Sequence, residues 1–272
     1  MTIGELTQQI MLATQPHYKD LIAQKRTCDM LLCGDPEREV HRVATTFIVT
    51  VDVLREAIKQ GVDLIISHEP LMCVGAGFMQ RQLNEIDEQK RAMIEESGIA
   101  VMRFHDGMHA MRPDLIYRGW MADLGWEEYN QPGPNNHFFI IPETTLGEVV
   151  ELVKSRLDMN GIRTFGDPAQ KVSRVGVLVG GGGQGLGNPM MPINFLLEEK
   201  LDLLIAGEIM ELMLPYAVAD AAALLDRPVS LMVAGHNRTE ECGMKHLPSW
   251  LEKNFAGPEY CFIESGDPLR IL

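Results

Sequence analysis

The sequence predicts an α/β fold of two lobes with mainly parallel sheets flanked by helices, and three observations carry that prediction. Short β-branched or apolar runs alternate with segments of helical period along the whole chain. The 272 residues, 46% of them hydrophobic, suffice for one large core or two smaller ones. A polar, proline-rich stretch from Tyr129 to His137 marks the best boundary between lobes.

Each element has a local reason. Thr2-Ile3-Gly4-Glu5 has the form of a capping box ahead of Leu6, Ile10 and Met11, so the chain opens with an amphipathic helix. Val43 to Val51 is a β-branched strand, and Val53, Leu54, Ala57 and Ile58 give the next helix its apolar face until Gly61 ends it. Val62 to Ser67 is a buried strand, Asn84 opens a charged helix to about Ser97, and Ile99 to Phe104 is a third strand. The second lobe begins with a strand at Phe138 to Ile141, a helix from Thr145 to Leu157 and a strand at Arg174 to Val179. A Gly-rich turn, a helix near Ile193 to Lys200 and a strand at Leu201 to Ala206 follow. Pro215 interrupts a helical stretch that runs to Leu225, and Val229 to Ala234 is a strand. A helix from Thr239 to Phe255 and a strand at Tyr260 to Glu264 close the chain.

Bulk properties narrow the function. No apolar run approaches the roughly 18–20 residues that cross a bilayer, which excludes a membrane-spanning helix. The opening residues lack the basic lead and apolar block of a secretory signal, so a cytoplasmic protein is expected. Cys28, Cys33, Cys73, Cys242 and Cys261 are odd in number and contain no C-x-x-C pair, and they read as reduced, mostly buried thiols. A net charge of −14 without a basic cluster disfavours nucleic acid as the main partner. A small anionic substrate stays compatible, because a bound divalent ion would supply positive charge locally.

Three clusters of metal-type ligands fall at the carboxyl ends of expected strands, where open α/β sheets bind ligands. His68-Glu69 follows one strand, His105-Asp106 with His109 the next, and His236 with Glu240 the strand at Val229 to Ala234. Pro70 keeps Glu69 extended, so His68 and Glu69 diverge toward two sub-sites. His236 and Glu240, four apart at a helix start, share one face and reach the same metal pair. Imidazole with carboxylate suits zinc, manganese, iron, cobalt or nickel. His17, His41, His137 and His246 have no such setting. A competing reading takes Gly180-Gly-Gly-Gly-Gln-Gly185 as a dinucleotide-binding turn after the strand at Val175 to Val179, with Asp202 or Glu208 on the ribose. A segment with six glycines between 180 and 187, however, satisfies that spacing readily by chance, and a turn is the favoured reading.

The segment from Thr50 through Ser67-His68-Glu69-Pro70-Leu71, and Gly235-His236-Asn237-Arg238-Thr239-Glu240 with Gly243, resemble the first and last signatures of the Nif-three-like dinuclear metal-centre family. Asp202 to Glu208 resembles a middle signature, and Asp29 to Gly34 is loosely similar to an early one. The resemblance implies His68, Glu69, His109, His236 and Glu240 as ligands of two divalent ions. Glu69 stands where the family has a second His, and His109 where it has Asp, so the ligand count is unchanged. Asp106 is the alternative to His109. His105 falls on an upstream His, in a supporting role, and His105 with Asp106 are the candidates for proton transfer. The resemblance also implies two lobes around a cleft, a ring-shaped homohexamer and a metal-dependent hydrolase, GTP cyclohydrolase-like in some members, acting on a small nucleotide or phosphorylated substrate. A non-catalytic metal-binding or interaction module is the alternative. On this reading residues 1–128 and 229–272 form the ligand-bearing lobe and 129–228 the other.

Overall fold

Strand pairing divides the chain into two units, each built on a five-stranded sheet, in a computed structural model that describes residues 1–23, 26–71, 84–133, 137–269 and 271. Unit 1 comprises Met1–Ile116 and Gly243–Ser265, and unit 2 comprises Tyr117–Cys242 and Gly266–Leu272.

Unit 1 starts with α1 (Ile3–Ala23), whose capping box is formed: the Thr2 amide donates to Glu5 Oε2 at 2.8 Å and the Glu5 amide to Thr2 Oγ1 at 3.2 Å. The sheet strands are β1 (Met30–Cys33), β2 (Arg42–Thr46), β3 (Leu64–Ser67), β4 (Ala100–Arg103) and β10 (Glu259–Phe262), in the order β1-β4-β3-β2-β10. Three pairings are parallel, and β1 closes the edge antiparallel to β4. Between the strands lie α2 (Val51–Lys59), capped by Thr50, and α3 (Glu85–Ser97), capped by Asn84 and ended by the left-handed Gly98. Short α4 (Asp106–Ala110) follows β4. Val53, Leu54 and Ala57 of α2 pack with Ala44, Ile65 and Val101 of the sheet in one buried core.

Unit 2 contains β5 (Phe138–Thr145), β6 (Arg163–Phe165), β7 (Lys171–Leu178), β8 (Leu203–Ala206) and β9 (Ser230–Val233), ordered β5-β7-β8-β9-β6. The central β7-β8-β9 ladder is parallel and both edge pairs are antiparallel. Helix α5 (Leu115–Leu124) precedes it. Three more helices are α6 (Leu146–Arg156), with a Thr145/Glu148 capping box, α7 (Met191–Glu198) and α8 (Leu214–Leu224). Pro215 sits in the first turn of α8, where a missing N–H costs nothing, rather than interrupting a longer helix. Helix α9 (His236–Asn254) starts three residues earlier than expected, and the unit boundary falls within it.

The mixed α/β class expected from the sequence is present, with antiparallel pairing confined to sheet edges: β1 in the first sheet, β5 and β6 in the second. The expected lobe boundaries differ. β9 pairs with β8, from Leu203↔Ser230 to Ala206↔Val233, so residues up to Cys242 belong to unit 2, and of 229–272 only Gly243–Ser265 joins unit 1. Residues 117–128 also fall in unit 2. Among the described cysteines only Cys242 is buried; Cys28, Cys33 and Cys261 are half-buried, and Cys73 lies outside the described residues. No helix among the described residues is long and apolar enough to cross a membrane.

Candidate metal centre

Adjacent parallel strands bring two of the three ligand clusters together in unit 1. Ser67 pairs with Arg103 at the last rung of β3 and β4, so His68 and His105 emerge side by side at the carboxyl edge, and α4 then turns His109 back toward them. The His68 and His105 rings stack at 4.4 Å between centroids, and His109 meets them edge-on at 5.1 and 4.9 Å. Each of the three offers a ligand nitrogen, all within 4.8 Å of one another. Three imidazoles at that spacing fit a borderline transition ion. His68 and Glu69 also offer ligand atoms within 4.8 Å of each other, closer than the divergence expected from Pro70.

The backbone and side chains around the cluster hold it in place. His68 Nδ1 lies 3.3 Å from the Phe104 carbonyl, His105 Nδ1 3.0 Å from Asp106 Oδ1 and His109 Nδ1 2.9 Å from Asp114 Oδ2. Arg103, nearly buried, donates from Nε to the His68 carbonyl at 3.1 Å and from its terminal nitrogen to Glu69 Oε2 at 3.4 Å. Asp29, also buried, caps α4 from a distant segment: Oδ1 accepts the amides of His105 and Asp106 at 2.7 and 2.9 Å, and Oδ2 that of Gly107 at 2.7 Å.

Cys28, His105 and Asp106 form a second group with ligand atoms within 4.8 Å. Burial pushes the Cys28 thiol up to about 12, only partly countered by Arg103, so without a metal the thiolate is scarce at neutral pH. Burial also pushes the Asp106 carboxyl up, but the His105 ring and the Cys28 amide, which donates at 2.9 Å, outweigh it and hold Asp106 well below the usual carboxylate range.

The third cluster belongs to the other sheet, so the three do not share one sheet edge as expected. In unit 2, His236 opens α9 and stands between two carboxylates, Nε2 at 3.0 Å from Glu240 Oε2 and Nδ1 at 3.0 Å from Glu208 Oε1. Gln184 donates to the other Glu208 oxygen. His236 and Glu240 thus share one face of α9, one helical turn apart.

The Gly-rich segment does not open an α-helix. Gly180–Gln184 forms a 3₁₀ turn and α7 begins only at Met191, which removes the helix N-terminus that a dinucleotide pyrophosphate needs. Gly180, Gly183 and Gly185 of this segment serve close packing instead. A Cβ on Gly180, at φ +52°, would lie 1.9 Å from Glu240 Oε1, and one on Gly207 would lie 2.4 Å from the Gly180 carbonyl oxygen. Arg103, Asp114 and Asp29 escaped sequence reasoning because nothing in their spacing announces the contact, although Asp29 opens the segment loosely similar to the family's early signature. His137, given no role from sequence, hydrogen-bonds the Tyr117 hydroxyl at 2.9 Å through Nδ1.

Two five-stranded α/β units carrying a candidate metal-binding cluster of His and carboxylate define the class of this protein. Residues 18–268 match the family model DUF34/NIF3 (NGG1p interacting factor 3), and the chain belongs to that family. A relative named GTP cyclohydrolase 1 type 2 homolog, from Pyrococcus abyssi, is 24% identical over 249 residues, 84% of this chain and 86% of its own. Among solved structures, the protein ybgI, of unknown function, superposes with a TM-score of 0.74 at 20% identity, covering 99% of this chain and 100% of that one. A Bacillus cereus protein related to NIF3 gives 0.69 at 16% identity, covering 100% and 99%. At these identities the two structures establish the shared fold alone.

Proposed function

We propose that this protein is a dinuclear-metal-dependent hydrolase of a small nucleotide or phosphorylated substrate, with His68, Glu69, His109, His236 and Glu240 as ligands of two divalent ions. The observation that carries the reading is the gathering of His68, His105 and His109 at one strand edge, each with a ligand nitrogen within 4.8 Å of the others. Imidazole and carboxylate together suit zinc, manganese, iron, cobalt or nickel. Two such ions, when bound, supply hydroxide near neutral pH and polarise a phosphoryl or carbonyl oxygen. The chain's own residues orient the ligands: Arg103 holds Glu69, Asp114 holds His109 and Glu208 holds His236. The names of its relatives make GTP the first substrate to try. The family resemblance adds a cytoplasmic homohexamer, which light scattering of the purified protein tests.

Metal-loaded protein is assayed against GTP, other nucleotides and simple phosphoesters beside His236→Ala, with at least one of them expected to be hydrolysed ~100-fold faster by wild type. If every member turns over at the rate of the variant, the catalytic reading fails and a non-catalytic metal-binding module remains. Metal analysis of a Glu69→Ala, His109→Ala double variant separately tests the ligands, with two equivalents expected to fall to one or none.

A further inference from the structure

We infer that His105 is itself a metal ligand, and that His68, His105 and His109 form a three-imidazole site for one borderline divalent ion. The metal-binding half of the function proposed above is presupposed; catalysis is not.

Ring geometry carries the assignment. A backbone carbonyl can only accept, so the Phe104 oxygen at 3.3 Å places the His68 proton on Nδ1. The carboxylates of Asp106 and Asp114 do the same for His105 at 3.0 Å and His109 at 2.9 Å. All three rings are therefore fixed in the tautomer whose lone pair is on Nε2, each with the oxygen partner on the far nitrogen that metal-bound histidines have. A residue that only supported another ligand would direct a ring nitrogen at that ligand's N–H. His105 does not: its Nδ1 is taken by Asp106, and its ring stacks on that of His68 at 4.4 Å. His236 in unit 2 shares only part of this arrangement: Glu208 stands on its Nδ1, but its Nε2 faces the Glu240 carboxylate.

Two consequences follow. Three neutral nitrogens with no carboxylate among them favour zinc, cobalt, nickel or copper over magnesium, calcium or manganese at this position. Asp106, expected from sequence as a proton-transfer group or as a ligand in place of His109, becomes a positioning residue for His105, bridging it to the Cys28 amide.

The test uses full-length apo-protein, one equivalent of copper(II) with electron paramagnetic resonance, and zinc affinity by chelator competition. Wild type is expected to show coupling to three nitrogens. His105→Ala is expected to show two, to lose more zinc affinity than the roughly 10–100-fold typical of outer partners, and to regain the third coupling when imidazole is added. His105→Gln keeps the side-chain volume and serves if the alanine variant does not fold. Unchanged nitrogen coupling in these variants overturns the assignment even if affinity drops, as does wild type that binds no copper. Loss of one nitrogen coupling in His105→Ala, together with no hydrolysis by wild type, refutes the enzyme reading alone.

Discussion

Asp114 and Gly180 show how single residues outside the candidate ligand set constrain it. Asp114 is buried, and its two oxygens divide their work: Oδ2 meets His109 Nδ1 at 2.9 Å while Oδ1 accepts the Ile116 amide at 2.8 Å at the start of α5. In Asp114→Asn the cap acceptor is kept and the charged partner of His109 is lost. Zinc affinity is therefore expected to fall roughly 10–100-fold with little change in the denaturation midpoint; equal affinity in chelator competition would remove Asp114 from the site. Gly180 answers a steric demand, since any Cβ there would collide with the buried Glu240 carboxylate. Its positive φ adds backbone strain for other residues. Gly180→Ala should cost roughly 2–4 kcal/mol in urea unfolding, and a variant as stable as wild type would show that Glu240 moves aside freely.

At the scale of the element, both units use the same device to set strand register. Asp63, just ahead of β3, accepts the amides of His41 and Arg42 at 2.8 and 3.0 Å, and Asp202, just ahead of β8, accepts those of Ser173 and Arg174 at 2.9 and 2.8 Å. Burial raises the Asp63 pKa, but those amides and the Arg38 guanidinium outweigh it, leaving the folded-state value below the ordinary 3.8. A depressed folded-state value means that the stabilisation is full above the unfolded pKa and is lost as pH falls below it. Asp63→Asn is thus expected to flatten the decline in stability on acidification below about pH 4, measured by urea unfolding at several pH values. A decline as steep as wild type's would assign the acid sensitivity to other groups. The main elements were legible because their signals are local: the Thr2/Glu5 and Thr145/Glu148 boxes and the Asn84 cap all formed. Short α4 and the edge strands β1 and β6 were not, since three to five residues carry too little periodicity to register, and ten-residue α5 was also missed.

For the whole molecule, metal is expected to act as a stabilising ligand. An ion held in the folded state and present at 100 times its dissociation constant contributes about 2.7 kcal/mol. Stripping the protein with a chelator should then lower the melting temperature by roughly 5–10 °C, and restoring zinc should reverse it. A melting temperature indifferent to metal would mean that no ion binds tightly to the fold. His105→Ala should shrink this difference more than Asp114→Asn does, because it removes a coordinating atom rather than the group that orients one.

By itself the sequence determined the mixed α/β class, the family and the positions of the candidate ligand residues just past strand ends. Those features depend on local periodicity, caps and short motifs, which neighbouring residues specify among themselves. The tertiary structure alone decided that β9 joins the second sheet and carries His236 with it, and that His105 packs against His68 and His109. It also decided that Asp29, Arg103 and Asp114 hold the cluster in place. These are hydrogen bonds and ring contacts whose partners are chosen when strands pair and loops close, and in most of them the two partners lie far apart along the chain.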